Sequence, residues 1–325
     1  MSGGPAERPS VRGPLSARDL LLGIDVGGTK CVAVIGTRSG SIIERREWES
    51  RAGEGPKPMI RRIADAARAL MDRTGGVVAC GVSMPGPLDV ERGVIEDPPN
   101  LPGWHDVPLR EVLEREIGLP IRIEHDAVAC ALAEARWGRG GAARRLVYLT
   151  CGTGFGMGLL IDGEPFYGAH GRPPEIGHLR LHDDGPIAFG RRGSVEAFCA
   201  APALGRIAVW KFPARWPTSA RPEEVASLAS GGDAEARAVV ATNARATGEA
   251  CALVADLLHP DLIVLGSLAR YLGPDWVDAV RASFAGEALP GAASGCRIVP
   301  SGLGERVQDL SAVAVAVRDL ETRRR

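Results

Sequence analysis

Several groups of residues in this chain have the types and spacing to do chemistry. The first is Asp25-Val26-Gly27-Gly28-Thr29-Lys30, where an apolar run ends in a carboxylate and turns on two glycines. Such a turn presents backbone N–H groups with no Cβ to hold an anion away. The carboxylate beside it suits a hydrated divalent metal of the kind that accompanies nucleotide phosphates. A hairpin that needs glycine only for its geometry is the plainer use. A second Gly-Thr turn, Gly152-Thr153-Gly154-Phe155-Gly156, follows the apolar run Leu146–Thr150. His125-Asp126 sits where a strand gives way to a helix. Aspartate there serves as a helix N-cap, or as a general base that takes a proton from a bound hydroxyl. Phosphoryl transfer asks for such a base, a metal, and backbone or cationic groups around the γ-phosphate. Glu175-Ile176-Gly177-His178 puts a carboxylate and an imidazole on one loop, suited to vicinal hydroxyls or to ligation of a metal. Glu196 offers a third polar contact, or a charge in a helix's first turn. A third glycine turn, Gly266-Ser267, is suited to lie against a flat ligand such as a purine.

The elements that must position these groups follow from pattern. Leu20–Val26, Cys31–Ile35 and Ile42–Glu49 read as strands, and Met59–Arg73 has helical spacing of its apolar residues. Val77–Val82 reads as a buried strand running into the rigid loop Met84-Pro85-Gly86-Pro87-Leu88. The irregular stretch from Asp97 to Trp104 precedes a helix near Leu109–Ile117, then a strand Ile121–Glu124 and a helix Ala127–Trp137. Leu146–Thr150, Met157–Ile161 and Glu164–Tyr167 then repeat the opening order of strand, Gly-Thr turn, strand, polar turn, strand. A repeated unit implies a duplicated fold with a ligand in the cleft between the halves, each offering its turn to one phosphate chain. Helical stretches are expected at Val195–Ala208, Ala234–Leu258 and Val307–Leu320, and a strand at Leu262–Leu265. The stretch from Phe212 to Asp233 reads as loop with no functional assignment.

At 325 residues the chain exceeds the usual size of one core. The expected division is a disordered leader over 1–18, a smaller α/β domain over 19–136, a larger one over 137–306, and a closing helix over 307–325 that packs back on the first domain. A net charge of −1 gives no ground for a nucleic-acid or membrane partner. The seven cysteines form no Cys-x-x-Cys pair and their number is odd, which fits reduced thiols in the cytoplasm.

Taken together, Leu22–Lys30, Pro85-Gly86-Pro87, Asn100-Leu101-Pro102-Gly103-Trp104, His125-Asp126-Ala127, Gly152–Gly158, Glu175–His178 and Gly190-Arg191-Arg192-Gly193 followed by Glu196 resemble the ROK family of sugar kinases and related repressors. The likeness runs from about Leu21 to Val317. It implies an α/β, actin-like, hexokinase-type fold that transfers the γ-phosphate of ATP to a sugar hydroxyl, usually the 6-OH. It also implies Asp126 as catalytic base, with Gly86, Asn100, His125, Glu175, His178 and Glu196 at the sugar. ATP would be held by Gly27, Gly28, Thr29, Lys30, Gly152, Thr153, Gly154, Gly266 and Ser267, with Asp25 reaching Mg2+ through water. A homodimer is usual in the family.

Three departures lie at or beside the sugar. Ile187, Phe189 and Ser194 stand where the family's structural zinc has cysteines, so no zinc is expected, Ile187 and Phe189 pack in its place, and His178 is left for the sugar. His125 replaces the usual asparagine, and a neutral imidazole offers its donor and acceptor in other directions than an amide. Pro173-Pro174 stiffens the approach to Glu175. The expectation is a working kinase with an altered acceptor, an amino sugar such as kanosamine or a sugar-like cyclitol, with glucose as the alternative. A non-catalytic sensor is the rival from another class, opposed by Asp126 and three intact glycine turns. A ROK-type transcriptional regulator needs a DNA-binding segment, and the residues before Leu22 are rich in proline and glycine.

Overall fold

The computed structural model describes residues 19–323. The expected leader over 1–18 lies outside them. The chain forms two compact units, one of residues up to Ala133 with 168–172 and 306–325, the other of 134–167 and 173–305.

The first unit is built on β1 (Leu20–Val26), β2 (Lys30–Thr37), β3 (Ile42–Glu49), β4 (Val77–Met84) and β7 (Ile121–His125), in the order β3-β2-β1-β4-β7. β1 pairs antiparallel with β2 and parallel with β4, and β4 parallel with β7. β1, β2 and β4 are buried along nearly their whole length, which accounts for their unbroken apolar runs. β3 carries Glu44, Arg45, Arg46 and Glu47 on an edge, where charge discourages pairing with another chain. A short ladder of β5 (Leu88–Asp89) and β6 (Val94–Ile95) follows the Pro-Gly loop. Helix α1 (Pro56–Thr74) packs on β2 and β3, and α2 (Leu109–Ile117) on α1 and β7. α3 (Asp126–Trp137) leaves the end of β7, and the unit boundary falls within it. The C-terminal helix α11 (Val307–Thr322) lies on β1 and β4, so close that a Cβ on Gly81 would sit 2.1 Å from Ala312 O. Residues 168–172, which the sequence-drawn boundary puts in the second domain, belong to this unit, with Arg172 paired to Glu96 at 2.8 Å.

The second unit repeats the plan. β8 (Arg145–Leu149), β9 (Met157–Ile161), β10 (Glu164–Pro165), β13 (Leu262–Leu265) and β14 (Arg297–Pro300) run in the order β10-β9-β8-β13-β14. Its pairings are again antiparallel to one side of the central strand and parallel to the other. The two sheets thus share one topology, as the repeated sequence pattern expects. β11 (Ile187–Ala188) and β12 (Arg191–Arg192) form a small hairpin before α4 (Val195–Cys199) and α5 (Ala203–Lys211). α6 (Pro222–Ser230), α7 (Ala234–Leu258), α8 (Ser267–Leu272), α9 (Pro274–Glu287) and α10 (Pro290–Gly295) complete it. Buried Asn243 on α7 fixes the helix layer, donating to Phe198 O at 2.7 Å and accepting from Trp276 Nε1 at 2.8 Å.

Three expectations change. The single helical stretch Val195–Ala208 is two helices, because Pro202 has no N–H with which to continue α4. The stretch read as loop between Phe212 and Asp233 contains α6, which buries only Val225 and so carries little periodic signal. The strand expected over Glu164–Tyr167 is shortened to Glu164–Pro165, followed by one further backbone bond to β9, from Phe166 N–H to Leu159 O at 2.8 Å.

Candidate active site

In the first unit, parallel pairing sets Asp25 opposite Ser83 at the ends of β1 and β4. Ser83 Oγ donates to Asp25 Oδ1 at 2.7 Å. Burial raises the Asp25 carboxyl to about 7, against the lowering pull of the Ser83 hydrogen bond, with Asp126 raising it further and Lys30 lowering it. Asp25 keeps a solvent-facing edge, but the protein packed around it dominates its solvation.

The turn that follows is held from behind. Gly27 N–H donates to Lys30 O at 3.0 Å, and Ser50 N–H donates to Thr29 O at 2.9 Å. Ser50 Oγ donates to Gly27 O at 2.5 Å, and Arg62 Nη2 fixes Ser50 O at 2.7 Å. With these carbonyls drawn back, the N–H groups of Gly28 and Thr29 have no partner among the described residues. Gly28 also lies against the Asn100 loop, where a Cβ would come 2.8 Å from Asn100 O.

At the end of β7, His125 is buried and Asp126 opens α3 with 40% of its side chain exposed. Asp126 Oδ1 accepts from Ala127 N at 2.6 Å, and its other oxygen has no partner among the described residues. Gly86 packs on the His125 ring.

In the second unit the corresponding turn is tied back in the same sense. Gly152 N–H donates to Gly154 O at 3.0 Å, and Ala201 N–H donates to Gly152 O at 2.8 Å. Thr150 Oγ1 donates to Gly154 O at 3.2 Å and accepts from Gly156 N at 2.9 Å. The N–H groups of Thr153 and Gly154 have no partner among the described residues. Gly266-Ser267 docks onto this turn: Ser267 N–H donates to Thr150 O at 3.0 Å, and a Cβ on Gly266 would lie 2.2 Å from the same oxygen.

Glu196 lies in the first turn of α4, and Ser194 caps that helix by accepting from Ala197 N at 3.2 Å. Glu196 Oε2 accepts from Phe155 N at 2.6 Å, so this buried carboxylate props the glycine turn. Burial pushes its carboxyl upward, with Phe155 N–H, Arg206 and His178 pulling it back. Its Oε1 is buried without a partner among the described residues. Gly177 lets the Ile176–His178 turn lie beside Phe155, where a Cβ would meet Phe155 O at 2.7 Å. Glu175 and His178 themselves are exposed.

The sequence profile of the ROK family matches residues 21–312. The chain belongs to the ROK family. A glucokinase of Halalkalibacterium halodurans is 30% identical over 87% of this chain and 90% of its own length. A xylose repressor of Caldicellulosiruptor bescii is 25% identical over 92% of this chain and 78% of its own length. Among solved structures, a ROK family glucokinase from Streptomyces griseus in complex with glucose and AMPPNP superposes with a TM-score of 0.79 at 26% identity, covering 92% of this chain and 99% of that one.

This ROK protein differs from the sequence expectation in its hairpin. Ile187 and Phe189 do not pack inward but are 50% and 51% exposed, Ile187 on a two-residue strand and Phe189 in the turn that follows it. Phe189 makes a ring contact with His178 at 6.4 Å. Ser194, bound to Ala197 N, and a lone imidazole are no zinc donor set, and no group of three or more metal-ligating side chains exists among the described residues. Ser50, Arg62 and Ser83 were not legible as site residues. They belong to no motif and are joined to the site only by hydrogen bonds across the sheet.

Proposed function

We propose that this protein transfers the γ-phosphate of ATP to the primary, 6-type hydroxyl of a hexose, with Asp126 as general base. The observation that carries the reading is the pair of glycine turns, one in each copy of the sheet. Each has its carbonyls tied back and two N–H groups without a partner among the described residues. Backbone donors so arranged suit the oxygens of a phosphate chain.

The Asp25 carboxylate fits a cation: burial holds its carboxyl near 7, and its second oxygen has no partner among the described residues. Bound Mg-ATP supplies the phosphoryl group and screens its charge. The chain's own residues do the rest. Gly27, Gly28, Thr29, Lys30, Gly152, Thr153, Gly154, Gly266 and Ser267 bind the nucleotide, and Asp25 orients hydrated Mg2+. Gly86, Asn100, His125, Glu175, His178 and Glu196 hold the sugar, and the free oxygen of Asp126 accepts the proton of the attacking hydroxyl. No zinc enters this reading, since the donor set does not fit one. Family likeness supports a cytoplasmic homodimer.

The acceptor is glucose or a hexose close to it, with kanosamine and C7-cyclitols as the altered-acceptor candidates. ADP release with Mg-ATP across glucose, mannose, glucosamine, N-acetylated hexosamines, kanosamine and cyclitols tests both points. Asp126→Asn lowers kcat by about 10²- to 10⁴-fold while sugar and nucleotide still bind. Turnover by that variant at the wild-type rate overturns the assignment of the base. The repressor match of Caldicellulosiruptor bescii favours a regulator as second reading, and silence of the wild-type protein on every acceptor moves the weight to it.

A further inference from the structure

We infer that His182 and Glu249 latch the loop of residues 178–193 onto α7, and that this latch positions Glu175 and His178 for the sugar where no metal cross-link can. The inference rests on the kinase reading above and deepens it.

The loop brings too few donor atoms for a metal to tie it: Ile187 and Phe189 have none, and Ser194, which follows it, is engaged by Ala197 N. Its own bonds close it on itself. Gly193 O accepts from Leu181 N at 2.8 Å and from His182 N at 3.1 Å, and Gly193 N donates to Pro186 O at 2.9 Å. Arg191 Nη1 donates to His178 O at 3.1 Å, so the hairpin and the His178 turn form one body. Val195 N, at the start of α4, donates to Leu179 O at 2.9 Å.

What seats that body on the unit comes from far along the chain. Among the described residues, the loop's side chains make one hydrogen bond beyond the loop: His182 Nε2 lies 2.7 Å from Glu249 Oε2 on α7, 67 residues away. A carboxylate only accepts, so Nε2–H donates. The Glu249 side chain is 12% exposed, and Arg245 Nη1 stands 3.7 Å from its other oxygen, which holds the carboxylate in place. The His182 ring also meets Phe198 of α4 edge-on at 5.2 Å, and Gly185 lies against the Phe198 ring with no room for a Cβ. Apolar contact holds the loop down but has no direction. The hydrogen bond to a carboxylate has direction, and fixes where the loop sits. Without it the loop slides on Phe198 and carries the His178 turn along. The Gly152–Gly154 turn stays in place, since Glu196 props it through Phe155 N at 2.6 Å.

The test measures KM for ATP and for glucose, or for whichever sugar of the panel above gives the highest kcat/KM. It compares wild type with His182→Leu, His182→Gln, Glu249→Ala and the double variant His182→Leu with Glu249→Ala. Leucine keeps the packing on Phe198 and drops the hydrogen bond, whereas glutamine keeps a donor near the place of Nε2. Sugar KM is expected to rise about 5-fold or more in His182→Leu and in Glu249→Ala, with ATP KM and unfolding temperature little changed. The double variant is then no worse than the worse single, and His182→Gln stays near wild type. Amide hydrogen exchange of the ligand-free protein supplies a second readout, expected to speed up over residues 179–193 in the same variants and not in β8 or β13. Three results overturn the inference while leaving the kinase reading intact: sugar KM within about 2-fold of wild type in His182→Leu, two single effects that multiply in the double variant, or unchanged exchange in the loop. If Glu249→Ala does not fold, His182→Leu decides alone, at a side chain that is 37% exposed. A wild-type protein that phosphorylates no sugar overturns the kinase reading and the positioning role with it, and loop exchange then decides the latch by itself.

Discussion

Ser50 uses each of its polar groups to shape the first glycine turn. Its hydroxyl and N–H take the carbonyls of Gly27 and Thr29, and its own carbonyl is held by Arg62. Ser50→Ala frees Gly27 O to rotate, and the expected effect is a rise in KM for nucleotide of about 2- to 10-fold, the worth of one hydrogen bond, with kcat and sugar affinity little changed. Ser50→Thr restores it, and equal effects on nucleotide and sugar would contradict the assignment. Asp25 carries a prediction in pH. Its carboxyl titrates near 7 in the folded chain against 3.8 for the ordinary group, so the folded state binds the proton more tightly than the unfolded state. Its contribution to stability is complete below about pH 4 and is lost as pH rises through about 7. Asp25→Asn removes that loss. The unfolding temperature of the ligand-free variant, relative to wild type, rises between pH 5 and pH 8, and a flat difference contradicts the role given to burial.

At the scale of elements, the end of α3 is anchored by one carboxylate. Glu134, fully buried, accepts from Arg139 N at 2.9 Å, Gly302 N at 3.2 Å, Leu303 N at 3.2 Å and the Ser301 hydroxyl. This fixes the loop after β14 against the helix. Glu134→Ala strips an acceptor from three backbone N–H groups, and the expected cost is roughly 3 kcal/mol or more. For a unit of this size that is a fall in unfolding temperature of about 6–12 °C by calorimetry. A change under about 2 °C would mean that water takes over the acceptor role. The helices themselves were legible where apolar spacing is regular, as in α1 and α7, and illegible where a short helix buries little, as in α6.

At the scale of the molecule, none of the seven cysteines forms a disulfide among the described residues, and six of them are buried and Cys130 partly so. Burial pushes Cys151 up to about 12 and Cys296 up to about 11, far from the thiolate that reacts. A thiol-specific disulfide reagent is expected to titrate no more than Cys130 in the native protein and all seven cysteines in denaturant. Rapid reaction of two or more without denaturant would show that a core opens readily. The duplicated sheet was plain in the sequence, because strand period and glycine turns are local signals repeated in the same order. So were Asp25, Asp126 and the two Gly-Thr turns, since each is a short motif at a strand end. The sequence could not show what stands behind them. Ser50 is 23 residues from Gly27, Ser83 is 58 from Asp25, and Glu134 is 167 from Ser301. Nor could it show which nitrogen of His125 is taken by Ala127 N. Such contacts depend on strand order, register and helix placement, which chain folding settles over long sequence separations. Composition and local pattern therefore determined the type of machine, and tertiary structure alone decided how its working groups are held.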